Sequence, residues 1–264
     1  MTSPFALSSV DVTQLQAPSL AAEKPAPSEA GNPGRDGSDG QLTPIAVHVC
    51  CGPCALEPVA QLKSEGFVPT LFWANPNIQP VAEHDHRLQV LKGWAAQEGI
   101  DVVECEQNRA AWERAVAPKG FEREARCRAC YGLRLAETCN AAKAAGFAHV
   151  TTTLAVSPHQ LHEVCDETLV AVAHAHGLEP VVRDFRPRFQ RAQERAQELG
   201  LYRQNYCGCR FSKVEATLER LAARAKQQPP QKSNRLSRQW RDRRHTAGSA
   251  GYWMSMASPK ESMR

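Results

Sequence analysis

The sequence predicts an α/β fold, an open and mostly parallel sheet of about five strands with helices on both faces and further helices at the C-terminal end. Between about residues 44 and 226, short apolar runs alternate with longer segments of helical periodicity. Alternation of this kind is typical of βα units, whose strands run parallel. The segment spans about 180 residues, which suits one domain that buries its own core.

Each element follows from the local pattern. Short apolar runs predict strands at 45–49, 67–73, 102–105, 150–153 and 180–185. Helical periodicity predicts helices at about 54–65, 81–97, 131–145, 161–176, 189–199 and 211–226, with a further helix and a loop between 105 and 131. Gly146 and Gly177 fit the position just after a helix end. This order of elements indicates a Rossmann-like sheet.

Net charge divides the chain into three parts. Residues 1–43 are rich in Ala, Pro, Gly and Ser and carry a net charge of −3, which predicts a disordered extension. The tail at 227–264 carries +6, and we expect it to be disordered, either dispensable or adding affinity for nucleic acid. Because the whole chain carries +4, the domain at 44–226 carries only +1.

The ten cysteines carry most of the functional information. Seven of them form three tight groups, which are Cys50, Cys51 and Cys54; Cys127 and Cys130; and Cys207 and Cys209. Short spacers of this kind let two sulfurs converge on one point, as metal binding or disulfide chemistry requires. Cys105, Cys139 and Cys165 stand alone in apolar or helical contexts, where we expect small buried hydrophobic residues.

The compartment decides how these thiols are interpreted. The sequence shows no leader peptide and no apolar run of about 18 residues, so neither secretion nor a membrane location is expected. The predicted location is the cytoplasm, where thiols stay reduced. Grouped cysteines therefore indicate metal binding or redox catalysis in preference to a structural disulfide framework.

Four thiolates bind either a tetrahedral zinc ion or an iron–sulfur cluster. A zinc site is compatible with the pairs Cys51, Cys54, Cys127 and Cys130. The adjacent residues Cys50 and Cys51 favour a cluster, because consecutive ligands are awkward on one ion but can reach different irons. In a separate interpretation, Cys207-Gly208-Cys209 forms a strained and easily reduced disulfide.

The special residues converge at one edge of the predicted sheet. Ligands of open parallel sheets bind beyond the carboxyl ends of the strands. The predicted strands bring to that edge Cys50 and Cys51, Asn75 and Asn77, Thr152 and Thr153, and Asp184.

Six motifs stand in a fixed order between about residues 45 and 215. They are His48-x-Cys50-Cys51-Gly52-Pro53-Cys54, Asn75-Pro76-Asn77-Ile78-x-Pro80, Arg126-Cys127-x-x-Cys130-Tyr131-x-x-Arg134-Leu135, Thr151-Thr152-Thr153-Leu154-x-x-Ser157-Pro158, Asp184-Phe185-Arg186 and Tyr202-Arg203-Gln204-x-Tyr206-Cys207-Gly208-Cys209-x-Phe211-Ser212. In this order the motifs resemble the QueH family of epoxyqueuosine reductases. Neither terminal extension belongs to the resemblance.

The resemblance implies an oxidoreductase that catalyses the last step of queuosine synthesis in tRNA. The epoxide of epoxyqueuosine at the wobble position takes up two electrons and two protons, becomes an alkene and releases water. The implied partners are a tRNA bearing epoxyqueuosine and an unidentified electron donor.

The resemblance also implies roles for individual residues. A [4Fe-4S] cluster would be held by Cys50, Cys51, Cys127 and Cys130. The redox-active pair would be Cys207 and Cys209. One additional mononuclear iron is also implied, with candidate ligands in Cys54, Asp184 or the same Cys207 and Cys209. A dithiol that carries electrons and a pair of iron ligands are roles that do not fully fit one state.

Several motif residues have a functional and a structural interpretation. His48 either points at the cluster or is a core histidine with satisfied hydrogen bonds. Asn75 and Asn77 either present amides to a ligand or hold their own turn. Tyr131 and Arg134 are either a stacking ring and a phosphate-binding cation or ordinary helix-surface residues. Asp184 is either near the metal or paired with a neighbouring arginine.

RNA binding has its own candidate residues. Tyr202, Arg203 and Tyr206 interleave aromatic and basic character, as RNA-loop binders do. A locally basic face is expected from Arg183, Arg186, Arg188, Arg191, Arg195, Arg203 and Arg210.

Two other classes of protein stay open. A zinc-stabilised RNA-binding protein accounts for the C-x-x-C pairs but not for Cys50-Cys51 or Cys-Gly-Cys. A cytoplasmic thiol–disulfide oxidoreductase accounts for the Cys-Gly-Cys group alone.

Overall fold

Five parallel strands form one sheet in the computed structural model, which describes residues 42–227. The strands are β1 (Thr43–His48), β2 (Phe67–Trp73), β3 (Val102–Glu104), β4 (His149–Thr152) and β5 (Glu179–Pro180). The predicted parallel α/β sheet is therefore confirmed. The extension predicted over 1–43 and the tail predicted over 227–264 lie, apart from their innermost residues, outside the described range.

Seven α-helices surround the sheet within this range. They are α1 (Gly52–Ser64), α2 (Val81–Gln97), α3 (Arg109–Val116), α4 (Arg123–Ala144), α5 (His162–Ala175), α6 (Phe189–Glu198) and α7 (Arg210–Gln227). Helix α1 packs on α2 and α6, whereas α4 packs on α3 and α5. None of the helices between residues 42 and 227 has the length and apolar character that a membrane span needs.

The strand order β3-β2-β1-β4-β5 places a topological switch at β1. The chain first builds outward from β1 to β2 and β3, and then returns to add β4 on the other side of β1. Ile45, Ala46 and Val47 are fully buried, as expected for a central parallel strand. Because successive connections leave in opposite directions there, a crevice opens beyond the carboxyl ends of β1 and β4.

The second C-x-x-C motif lies within a helix, whereas the sequence predicted a helix start at residue 131. Helix α4 begins at Arg123, because Arg, Glu and Ala in this segment favour helix formation. Cys127, Cys130 and Arg134 are spaced by three and four residues and therefore share one face of α4.

The fifth strand is shorter than predicted. It spans only Glu179–Pro180, at the edge of the sheet, where Pro180 has no N–H for a ladder bond. Asp184 consequently lies in the following loop and does not end a strand. That loop leads into a 3₁₀ turn at Arg186–Arg188.

Removing core volume from α1 should destabilise the domain. Leu56 is fully buried, so Leu56→Ala should lower the free energy of unfolding by about 2–5 kcal/mol. Leu218→Ala on α7, where the side chain is 60% exposed, is the control and should change it by about 0.5 kcal/mol or less. Urea denaturation measures both values, and equal losses would contradict the assigned core.

Candidate active site: a cysteine-lined cavity

A cavity of about 430 Å³ lies at the crevice beyond β1 and β4. Its lining includes six cysteines from three separate segments, Cys50, Cys54, Cys127, Cys130, Cys207 and Cys209. Members of all three cysteine groups therefore meet at one cavity, and of the residues expected at this edge of the sheet Cys50 and Asn77 line it, whereas Asp184 does not. Cys51 is buried beside the cavity and contacts Cys50, with 3.9 Å between the two sulfurs.

The turn between β1 and α1 gathers the first three thiols. The sulfurs of Cys50, Cys51 and Cys54 all lie within 4.8 Å of one another, close enough to share a metal ion. Cys51 is the N-cap of α1, and its sulfur accepts a hydrogen bond from the Cys54 backbone N–H at 3.4 Å. This cap holds the Cys51 sulfur at the N-terminus of α1, close to the Cys54 sulfur.

Helix α4 presents the second pair, and a tryptophan from α3 contacts it. Cys127 and Cys130 lie one turn apart, and Cys130 is buried. The Trp112 indole N–H donates to the Cys130 sulfur across 3.2 Å. Trp112 is fully buried and was not identified from the sequence, because a helical tryptophan has the pattern of any core residue.

The Cys207-Gly208-Cys209 turn fits closely against the Asn75–Pro80 loop. Gly208 has φ +145°, and a Cβ at this position would lie 2.9 Å from Ile78 Cγ1 and 3.0 Å from Asn77 Nδ2. Only glycine therefore fits between the two cysteines. Both cysteines are free thiols in this structure.

Hydrogen bonds to backbone carbonyls hold this turn in place. The Gln79 N–H donates to the Gly208 carbonyl at 3.0 Å, and the Tyr206 hydroxyl donates to the Gln79 carbonyl at 2.7 Å. The buried Arg87 guanidinium of α2 donates to the Cys207 carbonyl at 3.0 Å. Arg87 was also missed by sequence reasoning. A cation on the buried stripe of α2 was the signal that could have identified it.

Arg134 places a positive charge among the thiols. Its side chain is fully buried, and within residues 42–227 it forms no ion pair with a carboxylate; it donates to Asn75 Oδ1 at 2.6 Å. Burial alone would lower the pKa of this guanidinium, but the thiols of Cys130, Cys207 and Cys50 raise it above its ordinary value. A buried cation requires a nearby negative charge, and of these three thiols Cys50 is the one whose pKa is lowered. Arg134 is thus not a helix-surface residue.

The thiols differ in acidity. Hydrogen bonds from Cys51 and Cys54 hold the pKa of Cys50 well below its ordinary value, and Arg134 contributes further. Burial raises the pKa of Cys51, and hydrogen bonding to Cys50 raises that of Cys54. Burial likewise raises the pKa of Cys207 to about 12. One thiolate is therefore favoured in the first group, and a metal ion would displace the protons of the others.

His48 is a core histidine with satisfied hydrogen bonds. Its ring nitrogens lie 2.8 Å from Thr152 Oγ1 and 3.3 Å from the Ala74 carbonyl oxygen. Burial, and then the Arg134 cation, lower the pKa of His48 to about 3, so the ring is neutral. It joins β1 to its neighbours, and the structural interpretation is the one the geometry supports.

The two asparagines of the 75–80 loop have different roles. Asn75 is used internally, because its Nδ2 donates to the Val49 carbonyl at 2.8 Å and its Oδ1 accepts from Arg134. Asn77 is fully buried and lines the cavity, yet neither polar atom of its amide has a hydrogen-bond partner. Asn77 therefore has a free donor and a free acceptor at the cavity.

Asp184 lies apart from the cysteines. Its carboxylate accepts from the Arg186 guanidinium at 2.7 Å and lies 3.3 Å from His162 Nε2. It does not belong to the cavity lining. Hydrogen bonds from Arg186 lower the pKa of Asp184 to about 2.

The expected basic face is largely neutralised. Six of its seven arginines pair with carboxylates: Arg183 with Glu65, Arg186 with Asp184, Arg188 with Glu57, Arg191 with Glu198, Arg195 with Glu98, and Arg210 with Glu113. The tyrosines near them are also engaged, since Tyr202 donates to Glu83 at 3.1 Å. The number of arginines therefore overstates the positive potential of this side of the domain.

Fold and site together define a parallel α/β protein with a thiol-rich cavity at its topological switch. The family model described as epoxyqueuosine reductase QueH matches residues 45–215. The chain therefore belongs to the QueH family of epoxyqueuosine reductases, which are oxidoreductases, and the resemblance seen in the sequence motifs is confirmed.

Curated relatives named epoxyqueuosine reductase QueH are similar to this chain over most of their own length. The Dehalococcoides mccartyi protein is 31% identical over 172 residues, covering 65% of this chain and 93% of its own. The Thermotoga maritima protein is 30% identical over 180 residues, covering 65% and 91%. The Streptococcus pyogenes protein is 29% identical over 178 residues, covering 64% and 69%.

Adding one methyl group at Gly208 should displace the Cys207–Cys209 turn. Gly208→Ala introduces both a clash with Ile78 and backbone strain of about 1–3 kcal/mol, so the two thiols should become more reactive toward an alkylating agent. Mass spectrometry of timed labelling measures this change. Gly93→Ala in α2, where no atom lies within 4 Å of the added Cβ, is the matched control. Unchanged labelling in Gly208→Ala would show that the close approach does not hold the turn.

Proposed function

We propose that this chain reduces the epoxide of epoxyqueuosine in tRNA to the alkene of queuosine, the last step of queuosine biosynthesis. The observation that carries the proposal is the convergence of six cysteines from three segments on one cavity in a QueH-family chain. The substrate is a tRNA bearing epoxyqueuosine, and a separate electron donor restores the enzyme after each turnover. We place this reaction in the cytoplasm, where thiols stay reduced.

We assign a [4Fe-4S] cluster to Cys50, Cys51, Cys127 and Cys130. Cys50 and Cys51 are adjacent, Cys127 and Cys130 share a helix face, and both pairs adjoin the same cavity. The buried Arg134 supports this assignment, because four thiolates and a cluster form an anionic group that balances its charge. The N–H groups of Gln204 and Trp112, which point at the Cys51 and Cys130 sulfurs, suit thiolate acceptors.

An additional mononuclear iron is the second part of this assignment. Cys54 is the best candidate ligand, because it lines the cavity and lies within 4.8 Å of the first two thiols. Asp184 is a weaker candidate, since its carboxylate is already paired with Arg186. When bound, the cluster would relay electrons from the external donor, and the additional iron would act as a Lewis acid toward the epoxide oxygen.

The Cys207 and Cys209 thiols supply the two electrons and two protons that the reaction consumes. Forming one S–S bond between them releases two electrons and two protons, which is what breaking both epoxide C–O bonds requires for an alkene and water to form. Their turn is held by backbone hydrogen bonds, so the sulfurs keep a fixed position at the cavity. The free amide of Asn77 lies beside them and offers the substrate a donor and an acceptor.

Removing one thiol of the Cys207 and Cys209 pair should abolish epoxide reduction without loss of the bound iron and sulfide. Cys207→Ala should lower turnover to the level of the protein-free reaction, while the iron and sulfide content of the protein stays that of the unchanged chain. Conversion of epoxyqueuosine to queuosine in tRNA, followed by nucleoside mass spectrometry under anaerobic conditions, measures this.

The control is Cys165→Ala, which removes a buried thiol outside the cavity lining and should leave turnover within about twofold. Full activity in Cys207→Ala would remove the dithiol from the mechanism. No conversion by the unchanged chain loaded with iron and sulfide would overturn the proposed reaction itself.

A further inference from the structure

Two arginines at the mouth of the cavity have no carboxylate partner. Arg123 begins α4, and its Nη2 donates to the His159 carbonyl at 2.8 Å. Arg220 on α7 donates to the Asn205 carbonyl at 3.2 Å and to the Thr217 hydroxyl at 3.1 Å. Both side chains are exposed and line the cavity, and neither forms an ion pair with any other residue of the described domain.

These two residues differ from the third arginine of the cavity lining, Arg126, which forms an ion pair with Glu215. Arg128 on α4 lies 2.8 Å from Glu167, and Arg210 on α7 lies 2.6 Å from Glu113. Their charges are largely cancelled by these partners, whereas those of Arg123 and Arg220 are not. The mouth of the cavity therefore carries two guanidinium groups that are available to an incoming anion.

Aromatic rings and one carboxylate share this mouth. The His159 and Phe189 rings also line the cavity, in an edge-to-face arrangement with 6.3 Å between their centroids. Rings beside unpaired guanidinium groups match what single-stranded RNA offers, namely flat bases and phosphates. Glu219 lies on the same rim and forms no ion pair within residues 42–227. The other glutamate of the lining, Glu215, forms an ion pair with Arg126.

We propose that Arg123 and Arg220 bind backbone phosphates of the tRNA anticodon loop next to the nucleotide that enters the cavity. This inference rests on the proposed function, because it assumes that the substrate base is turned out of the loop toward the cysteines. One guanidinium group can bind two oxygens of a phosphate at once. Because the two arginines come from different helices, two such contacts together would orient the loop over the cavity. The unpaired Glu219 opposes phosphate binding from the same rim.

The salt dependence of RNA affinity tests this assignment. The probe is a fluorescently labelled, unmodified anticodon stem–loop RNA titrated with the full chain at several salt concentrations. Arg123→Ala and Arg220→Ala should each weaken binding about fivefold at 0.1 M salt. Each should also make the negative slope of log association constant against log salt concentration less steep by about 0.7. Glu219→Gln should instead strengthen binding.

Two variants are matched controls. Arg128→Ala lies on the same helix as Arg123, and Arg210→Ala lies on the same helix as Arg220; because both residues are ion-paired, each variant should change affinity less than twofold. Free energies of unfolding of all variants confirm that the domain is intact.

The possible failures can be told apart. Arginine variants that bind the RNA as tightly as the controls, or an unchanged chain with no affinity for the RNA, would overturn the docking proposal and leave the mouth to another kind of partner. Arginine-dependent RNA binding by a loaded protein that reduces no epoxide would uphold docking and reject the proposed reaction.

Discussion

The buried guanidinium of Arg134 is the constraint on which the organisation of this site depends. It lies among thiols from all three cysteine groups and has no carboxylate partner in the described domain. A cation in that position is stable only beside compensating negative charge. Burial, and then the same cation, lower the pKa of His48 and keep its ring neutral, so the negative charge of the site has to come from the thiols. The anionic metal group that we propose, held by thiolates, would satisfy this requirement.

Three different devices bring the thiols to that cation. The N-cap of α1 positions Cys51, helical spacing on α4 aligns Cys127 with Cys130, and close backbone approach at Gly208 fixes the third turn. All three segments meet beyond the carboxyl ends of β1 and β4, because the connections that follow these strands leave in opposite directions. The switch in topology thus provides the space, and the local geometry of each segment provides the ligands. In the docking that we propose, Arg123 and Arg220 extend the same site outward to the mouth that would receive the RNA.

Sequence patterns predicted the elements that local physics determines. The bounds of β2 and α2 agree with prediction because an unbroken apolar run and a clear helical period define them. Pro180 shortened the last strand, and good helix formers extended α4 upstream through the second cysteine pair. Pairings between remote residues were beyond prediction, since Arg210 and Glu113 are separated by 97 residues along the chain. For the same reason the sequence suggested a basic face that ion pairs cancel, and it gave no sign of how Arg87 holds the Cys207 carbonyl.

We propose above all that these thiols hold an anionic iron–sulfur group. Anaerobic purification and reconstitution, followed by analysis of iron, zinc and acid-labile sulfide, tests it most directly. We predict about four or five irons and about four sulfides per chain, with the broad visible absorption of a cluster. Zinc without sulfide, reproduced after strict anaerobic reconstitution, would rule out the cluster and assign the cysteines to a structural metal site.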